Sequence, residues 1–559
     1  MNAELLLKHY EQFADAPDAI ARQRRFILDL AVRGKLVQQD AHDEPASELL
    51  KRIGKDKARL VKSGDLRKPR DLDSGGILEE PFSIPATWRW VRLDAVGAIV
   101  GGGTPSAADA ENFAEPGDGV PWLTPADLGD YSDLYISRGA RDLSERGLRT
   151  SSATVLPKGT VLFTSRAPIG YIAIAANPIS TNQGFKSIVP YVTDCARFIA
   201  TAMRAFAPEI DAKAPGTTFK EVSGKIVAAV PFPLPPLAEQ HRIVAKVEEL
   251  MGLCDRLEAA RAVREATRDR LTAASLARIN APDPETFQTD ARFALDALPA
   301  LTARPDQIKQ LRQTILNLAV RGKLVPQDPA DEPAPVQRAH NAAELGDRLD
   351  TEIPPSWRWV RVEDVADARL GKMLDKAKNK GRPYPYLRNT NVHWFDIRLD
   401  DLKTIPLDDA EFEEYRLKNG DVLICEGGHG IGRTAVWRGG SENLVFQKAL
   451  HRVRPGEHLE PNFFAQCCFV YFDARIMQTY FTGVGIPHFT GRALAKLVFP
   501  LPSLAEQRRI VAKVDALMGL CDRLEASLIA TAATRRHLLD ALLAEVLARA
   551  EDRELEAAE

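Results

Sequence analysis

Leu30-Ala31-Val32-Arg33-Gly34-Lys35-Leu36-Val37 returns, residue for residue, as Leu318-Ala319-Val320-Arg321-Gly322-Lys323-Leu324-Val325. Both copies run on into Asp-Glu-Pro-Ala, at Asp43 and at Asp331. Trp88-Arg89-Trp90-Val91-Arg92 returns as Trp357-Arg358-Trp359-Val360-Arg361. Leu237-Ala238-Glu239-Gln240 returns at Leu504-Ala505-Glu506-Gln507. After it, Arg-Ile-Val-Ala-Lys-Val and Met-Gly-Leu-Cys-Asp-Arg-Leu-Glu-Ala also recur, from Arg242 and from Arg509. Three ordered matches of this length do not arise by chance.

The spacing between the matches sets the domain plan. Trp88 to Leu237 is 149 residues and Trp357 to Leu504 is 147, so the two enclosed segments are of one size. The connector before each differs in length, as a surface linker can. The period far exceeds the 20 to 50 residues of solenoid repeats, so the unit is a duplicated domain. The boundaries follow: an arm over 1–50, a first globular domain over 88–236, and a central helical region over 237–325. A second globular domain covers 357–503, and a long helix follows over 504–550.

The two helices that follow the domains carry the clearest periodicity. Ile243, Val247, Leu250, Cys254 and Leu257 are spaced 4, 3, 4 and 3, the step of a coiled-coil seam, and Ile510, Val514, Leu517, Cys521 and Leu524 repeat it. Pro236 in one copy, and Ser503 with Glu506 in the other, mark the helix starts. Cys254 and Cys521 read as small buried hydrophobes of the seam. Two equal seams predict that the long helices pack on each other. An antiparallel pairing would put the globular domains at opposite ends of a rod, with the arm helices added to the bundle. Inside the domains, short β-rich runs such as Gly159–Phe163 and Gly420–Ile424 lead into glycine-bearing loops and a further strand. The expected fold is α+β: two similar recognition domains with β-rich cores on long antiparallel coiled-coil helices, related by a pseudo-two-fold duplication. The domain interiors share framing residues and little else. Different surface tasks would produce that pattern, and so would neutral drift.

Composition excludes several classes. The chain has 559 residues, 45% hydrophobic and 27% charged, with no apolar run near the roughly 20 residues that span a bilayer. Met1-Asn2-Ala3-Glu4 has no basic start or apolar segment of a secretory signal. The six cysteines include no Cys-x-x-Cys pair, which points to reduced cytoplasmic thiols rather than disulfides or a zinc knot. A net charge of −3 argues against a generic polycation, yet leaves room for a local basic patch.

These motifs resemble those of Type I restriction–modification specificity subunits. The likeness rests on the Leu-Ala-Val-Arg-Gly-Lys-Leu-Val arm with its Asp-Glu-Pro-Ala and on the Trp-Arg-Trp-Val entry. It extends to the Pro-Leu-Pro-x-Leu-Ala-Glu-Gln-x-Arg-Ile-Val-Ala-Lys-Val helix start and to Gly101-Gly102-Gly103-Thr104-Pro105. It covers nearly the whole chain. The resemblance implies two target recognition domains, each reading half of a bipartite, asymmetric double-stranded DNA site. It implies helices that dock two modification subunits, which methylate adenine with S-adenosylmethionine. Restriction subunits using ATP and Mg are the further partners it implies. No cofactor or metal is expected on this chain itself.

A catalytic role finds no support in the motifs. Gly427-Gly428-His429-Gly430-Ile431-Gly432-Arg433-Thr434 nearly fits a phosphate-binding loop, but Arg433 replaces the lysine and a β run follows where a helix should open. The chain has no Asn/Asp-Pro-Pro-aromatic loop of an adenine methyltransferase and no Glu-x-Lys triplet of a metal nuclease. Nor does it have a His-x-x-x-His pair for zinc. The remaining rival is a coiled-coil adaptor that binds only protein.

Local chemistry separates the two readings. From Arg369 to Arg388 there are seven basic residues, Arg369, Lys372, Lys376, Lys378, Lys380, Arg382 and Arg388, against one acid, Asp375. Asn389, Asn391 and His393 follow. Arginine can bond guanine and asparagine adenine, while lysines neutralise phosphate; a solvated charged face is the plain alternative. In the first domain Ser165-Arg166 and Asn182-Gln183, with Lys186, occupy places like those of Glu426-Gly427 and Gln447-Lys448. The tryptophans at 88, 90, 357 and 359 read as core.

Overall fold

The computed structural model describes residues 15–16, 18–64, 78–166, 168–216, 220–280, 286–296, 302–335, 340, 353–375, 379–428, 430–440, 443–483, 485 and 487–558. The chain forms two compact units, residues 1–263 with 532–559, and residues 264–531.

In the first unit a five-stranded sheet runs in the order Gly97–Gly101, Lys186–Pro190, Val161–Phe163, Ile172–Ala175, Tyr135–Ile136. Val161–Phe163 and Ile172–Ala175 are buried at every position, because helix Ala196–Ala212 packs on them. That is why they read as continuous apolar runs rather than as alternating ones. A second sheet runs Phe113–Ala114, Arg141–Leu143, Val120–Leu123, Ser180–Thr181, its last pair parallel. The first strand, Arg89–Arg92, pairs antiparallel with the last, Pro231–Leu234, so the chain enters and leaves the domain side by side.

The second unit repeats this plan. Its main sheet runs Ala366–Leu370, Leu450–Pro455, Val422–Cys425, Thr434–Val436, with the same antiparallel pairings. Lys403–Leu407, Arg382–Leu387 and Val445–Phe446 form the second sheet, again closing on a parallel pair, and Arg358–Arg361 pairs with Val498–Leu501. The domains differ locally. Where the first has the helical turn Pro125–Leu128, the second has a hairpin, Val392–His393 with Asp396–Ile397.

The recurring residues meet at one junction in each unit. Trp88, 1% exposed, packs edge-on against Phe198 and donates its indole N–H to Glu239 Oε2 at 2.9 Å. Gln39 donates to Glu239 Oε1 at 2.5 Å, and Arg242 grips Asp43 through two hydrogen bonds of 3.1 and 2.5 Å. In the second unit Trp357 packs on Phe463, Gln327 donates to Glu506 at 2.5 Å, and Arg509 holds Asp331 at 3.1 and 2.6 Å. Burial pushes the Glu239 and Glu506 carboxyls above the usual carboxylate range, against the pull of their tryptophan and glutamine partners. Ser503 caps the second long helix by accepting from the Glu506 N–H at 3.0 Å.

The long helices are Leu237–Asn280 and Leu504–Ala558. Ile243, Val247 and Cys254 are buried in one cluster with Ile27 and Leu30 of the arm helix Ala19–Val32 and with Phe198 and Phe232 of the domain. Ile510, Val514 and Cys521 join Ile308 and Ile315 of the second arm helix, Pro305–Val320, and Phe463. Arg24 bonds Asp255 and Glu258, and Arg312 bonds Asp522 and Glu525, at 2.6–2.8 Å. Each seam therefore starts against its own arm and its own domain. Leu250 and Leu517 are half-buried, and Leu257 and Leu524, expected on the seam, are 36% and 37% exposed. A heptad shows that a stripe is covered, not by what. The end of the second long helix joins the first unit, where Leu539 and Leu542 cluster with Ala16 and Ala19. Among the described residues no helix is long and apolar enough to cross a membrane.

Two expected outcomes follow from the junction. Gly34 and Gly322 have φ of +72° and +69°, and a Cβ on either would lie 2.5 Å from Cγ of Pro85 or Pro354. Gly34→Ala and Gly322→Ala should each destabilise the unit that holds them by at least about 1–2 kcal/mol, the cost of the left-handed backbone alone, as read by urea unfolding. Glu239→Gln tests the buried carboxyl. A carboxyl whose pKa is raised on folding destabilises the fold as pH climbs from about 4.5 through that raised value. The stability of the natural chain relative to Glu239→Gln should therefore fall between pH 4.5 and 8. A difference that grew over that range would show that the fold favours the ionised carboxylate, and a flat one that folding leaves its pKa unshifted.

Candidate nucleic-acid interface

At one end of each main sheet the chain builds the same backbone cradle. In the first domain Ser165 N–H donates to Gly184 O at 2.7 Å, and Val222 N–H donates to Ser165 O at 2.9 Å. In the second, Glu426 N–H donates to Ala449 O at 2.9 Å, and Phe489 N–H donates to Glu426 O at 2.7 Å. Arg166 bridges to Glu221 as Gly427 bridges to His488. Lys186 faces Gly101 across the sheet as His451 faces Leu370. These bonds set the equivalences: Ser165 with Glu426, Glu221 with His488, Lys186 with His451. A glycine lines the cradle in both, because a Cβ on Gly102 would lie 2.0 Å from Asn182 O and one on Gly371 2.3 Å from Gln447 O.

The side chains on this shared frame differ. In the first domain the Lys186 ammonium lies 3.5 Å from Glu221 and 3.5 Å from Ser165 Oγ, and donates to Gln183 O at 3.3 Å. In the second, Glu426 Oε1 lies 3.0 Å from His488 Nδ1. His451 is buried, bonded through Nε2 to Phe489 O at 2.7 Å, and burial pushes its pKa down, which favours the neutral ring. Around the cradle the loop 427–433 carries Gly428, Gly430 and Gly432 at positive φ and returns as the strand Thr434–Val436.

The structure gathers some of the expected residues and separates others. Arg166, Asn182, Gln183 and Lys186 converge on the first cradle, with Asn182 accepting from Gly184 N–H and Thr104 bonding Gln183. Asn389, whose amide donates to Gly427 O at 3.3 Å, joins Gln447 and Lys448 at the second. Lys448 is exposed and Gln447 half-buried. Exposed Lys380 precedes the strand Arg382–Leu387, and half-buried His393 lies on the hairpin. Lys376 and Lys378 lie outside the described residues. Asn391 is 3% exposed: it accepts from Arg388 N–H and donates to Arg398 O and Asp401 O. The Arg388 side chain, 16% exposed, donates to the Asp401 carboxylate at 2.5 Å. Both hold the loop 388–401 in shape. Motif reading does not single out Glu221 and His488, which lie 56 and 62 residues beyond Ser165 and Glu426 along the chain. Their signal is one of place: each lies a few residues before the helix start that leads to the last strand.

Residues 85–263 and 354–532 each match the Type I restriction modification DNA specificity domain. The chain belongs to this family. It is 28% identical over 563 residues to the Type I restriction enzyme EcoAI specificity subunit of Escherichia coli, covering 94% of this chain and 93% of that one. With the MjaIX specificity subunit of Methanocaldococcus jannaschii it shares 39% identity over 165 residues, 29% of this chain and 37% of that one. The crystal structure of the HsdS subunit from Thermoanaerobacter tengcongensis is similar at 22% identity and a TM-score of 0.42, over 84% of this chain and 99% of that one. As a Type I specificity subunit the chain recognises DNA sequence.

The loop-holding role of Asn391 has a direct check. Asn391→Ala leaves the Arg388 N–H and two carbonyls without their partner and should cost about 1–3 kcal/mol. Limited proteolysis should then cut within 388–401 first; unaltered cleavage would show that the loop does not depend on this side chain.

Proposed function

We propose that this chain reads a two-part, asymmetric DNA site and brings an adenine methyltransferase to it. The observation that carries the reading is one backbone cradle built twice with two different sets of polar side chains. A common frame gives both domains the same approach to a duplex, and unlike side chains give each half-site its own bases. The partners are two modification subunits, which bind S-adenosylmethionine, and restriction subunits that use ATP and Mg. The long helices hold the domains apart and dock those partners, and the complex works in the cytoplasm. The chain is a non-catalytic subunit, as specificity subunits in general are. The adaptor reading gives no reason for two cradles with one set of backbone bonds and different polar groups.

Two experiments test this. Purified chain given S-adenosylmethionine, or Mg and ATP, should neither methylate nor cut DNA, and a co-expressed modification subunit should confer methylation. Turnover by the lone chain that a point substitution in it abolishes would overturn the assignment. Exchanging residues 357–503 for the matching segment of a relative should change one half of the methylated motif and leave the other as it was.

A further inference from the structure

The matched cradles allow an assignment at the level of single residues, resting on the DNA-reading role argued above. Ser165 and Glu426 make the same two backbone hydrogen bonds. The fold therefore needs only a main chain at this position, and a serine satisfies it. A carboxylate there is an added electrostatic burden. It stands among groups that face a polyanion, and phosphate oxygens repel it. Such a group is justified in a DNA-facing cradle if it accepts a hydrogen bond from a base. Glu426 has the geometry for this. Its side chain is 19% exposed, and His488 Nδ1 anchors Oε1 at 3.0 Å. Among the described residues no other side chain hydrogen-bonds to it. His488, itself 46% exposed, fixes the carboxylate and offsets its charge when protonated. At the matched place the first domain inverts the arrangement: the cation Lys186 comes from the sheet and the anion Glu221 from the position of His488.

The geometry points to Glu426 as a specificity-determining residue of the second domain, accepting a hydrogen bond from the exocyclic amine of a base, with His488 as its positioning residue. An ionised carboxylate only accepts. In the major groove it is satisfied by cytosine N4 or adenine N6 and repelled by guanine O6 and thymine O4. In the first domain Lys186 and Arg166 present donors, which suit guanine O6 and N7.

The test uses the full complex with its modification subunit. Methylation is measured on duplexes in which each base pair of the site is replaced in turn. The natural complex should require an amino-bearing base at one position of the half-site read by residues 357–503, and the replacement series shows whether it is cytosine or adenine. Glu426→Gln, nearly the same in shape, adds a donor beside the acceptor. It should lower discrimination at that one position by on the order of tenfold and leave the other half-site unchanged. His488→Gln, at a more exposed residue, should relax the same position and carries the test if Glu426→Gln lowers the melting temperature. Normal methylation with undiminished discrimination in both variants would overturn this assignment and leave the DNA-reading role standing. Equal loosening of both half-sites would overturn it too, by showing a general structural effect. A natural complex that methylates no discrete site would instead count against the DNA-directing role itself.

Discussion

A buried carboxylate in each unit decides how the rest is arranged. Glu239 and Glu506 are each 1% exposed, where an unpartnered charge costs several kcal/mol. The first is satisfied by the Trp88 indole and Gln39, the second by Gln327, and the tryptophans are fixed by Phe198 and Phe463. The glutamines belong to the segment that joins the arm to the Asp-Glu-Pro-Ala stretch, whose aspartate takes the arginine of the long helix. Arm, domain entry and helix start thus converge on one acid. Changing any of them leaves a buried donor or a buried charge without its partner, so the motifs recur together or not at all.

Downstream of that junction the constraints divide in two. Strand order and the cradle bonds are main-chain hydrogen bonds, indifferent to side-chain identity except at glycines such as Gly102 and Gly371. The polar groups on the cradle are held by contacts to each other, Lys186 to Glu221 and Glu426 to His488. One set of residues can therefore be replaced by another with little effect on the core. A constant frame with divergent side chains is what the proposed reading of two unlike half-sites requires.

The duplication, the two long helices and the core role of Trp88 and Trp357 were legible in the sequence, because each leaves a local or repeated trace. What covers the start of each seam was not. The seam of Ile243, Val247 and Cys254 is covered by the arm and the domain, and periodicity carries no information about the covering surface. The cradle was half legible. Lys186 opens a strand, and Arg166, Asn182 and Gln183 lie just beyond the ends of its neighbours, whereas Glu221 and His488 arrive through non-local bridges between segments that share no motif. In the run from Arg369 to Asn391, charge counting does not show the internal pairings: Arg388 and Asn391 bond within the loop 388–401, Arg369 pairs with Glu414, and Lys372 pairs with Glu411.

These internal pairings bear on how a chain of net charge −3 can recognise a polyanion. Lysine and arginine contacts to phosphate supply sequence-independent affinity, and much of the positive charge here is already matched by acids, as at Arg388, Arg369, Lys372 and Lys186. The sequence-independent pull is correspondingly modest, and discrimination falls to contacts with base edges. A contact of that kind gains from groups that are fixed before DNA arrives, since ordering a free side chain costs about 0.5–1.5 kcal/mol. An ion pair within the cradle does this for both partners at once. On the proposed reading, the same pairing that weakens general attraction to DNA sharpens the difference between a right and a wrong base.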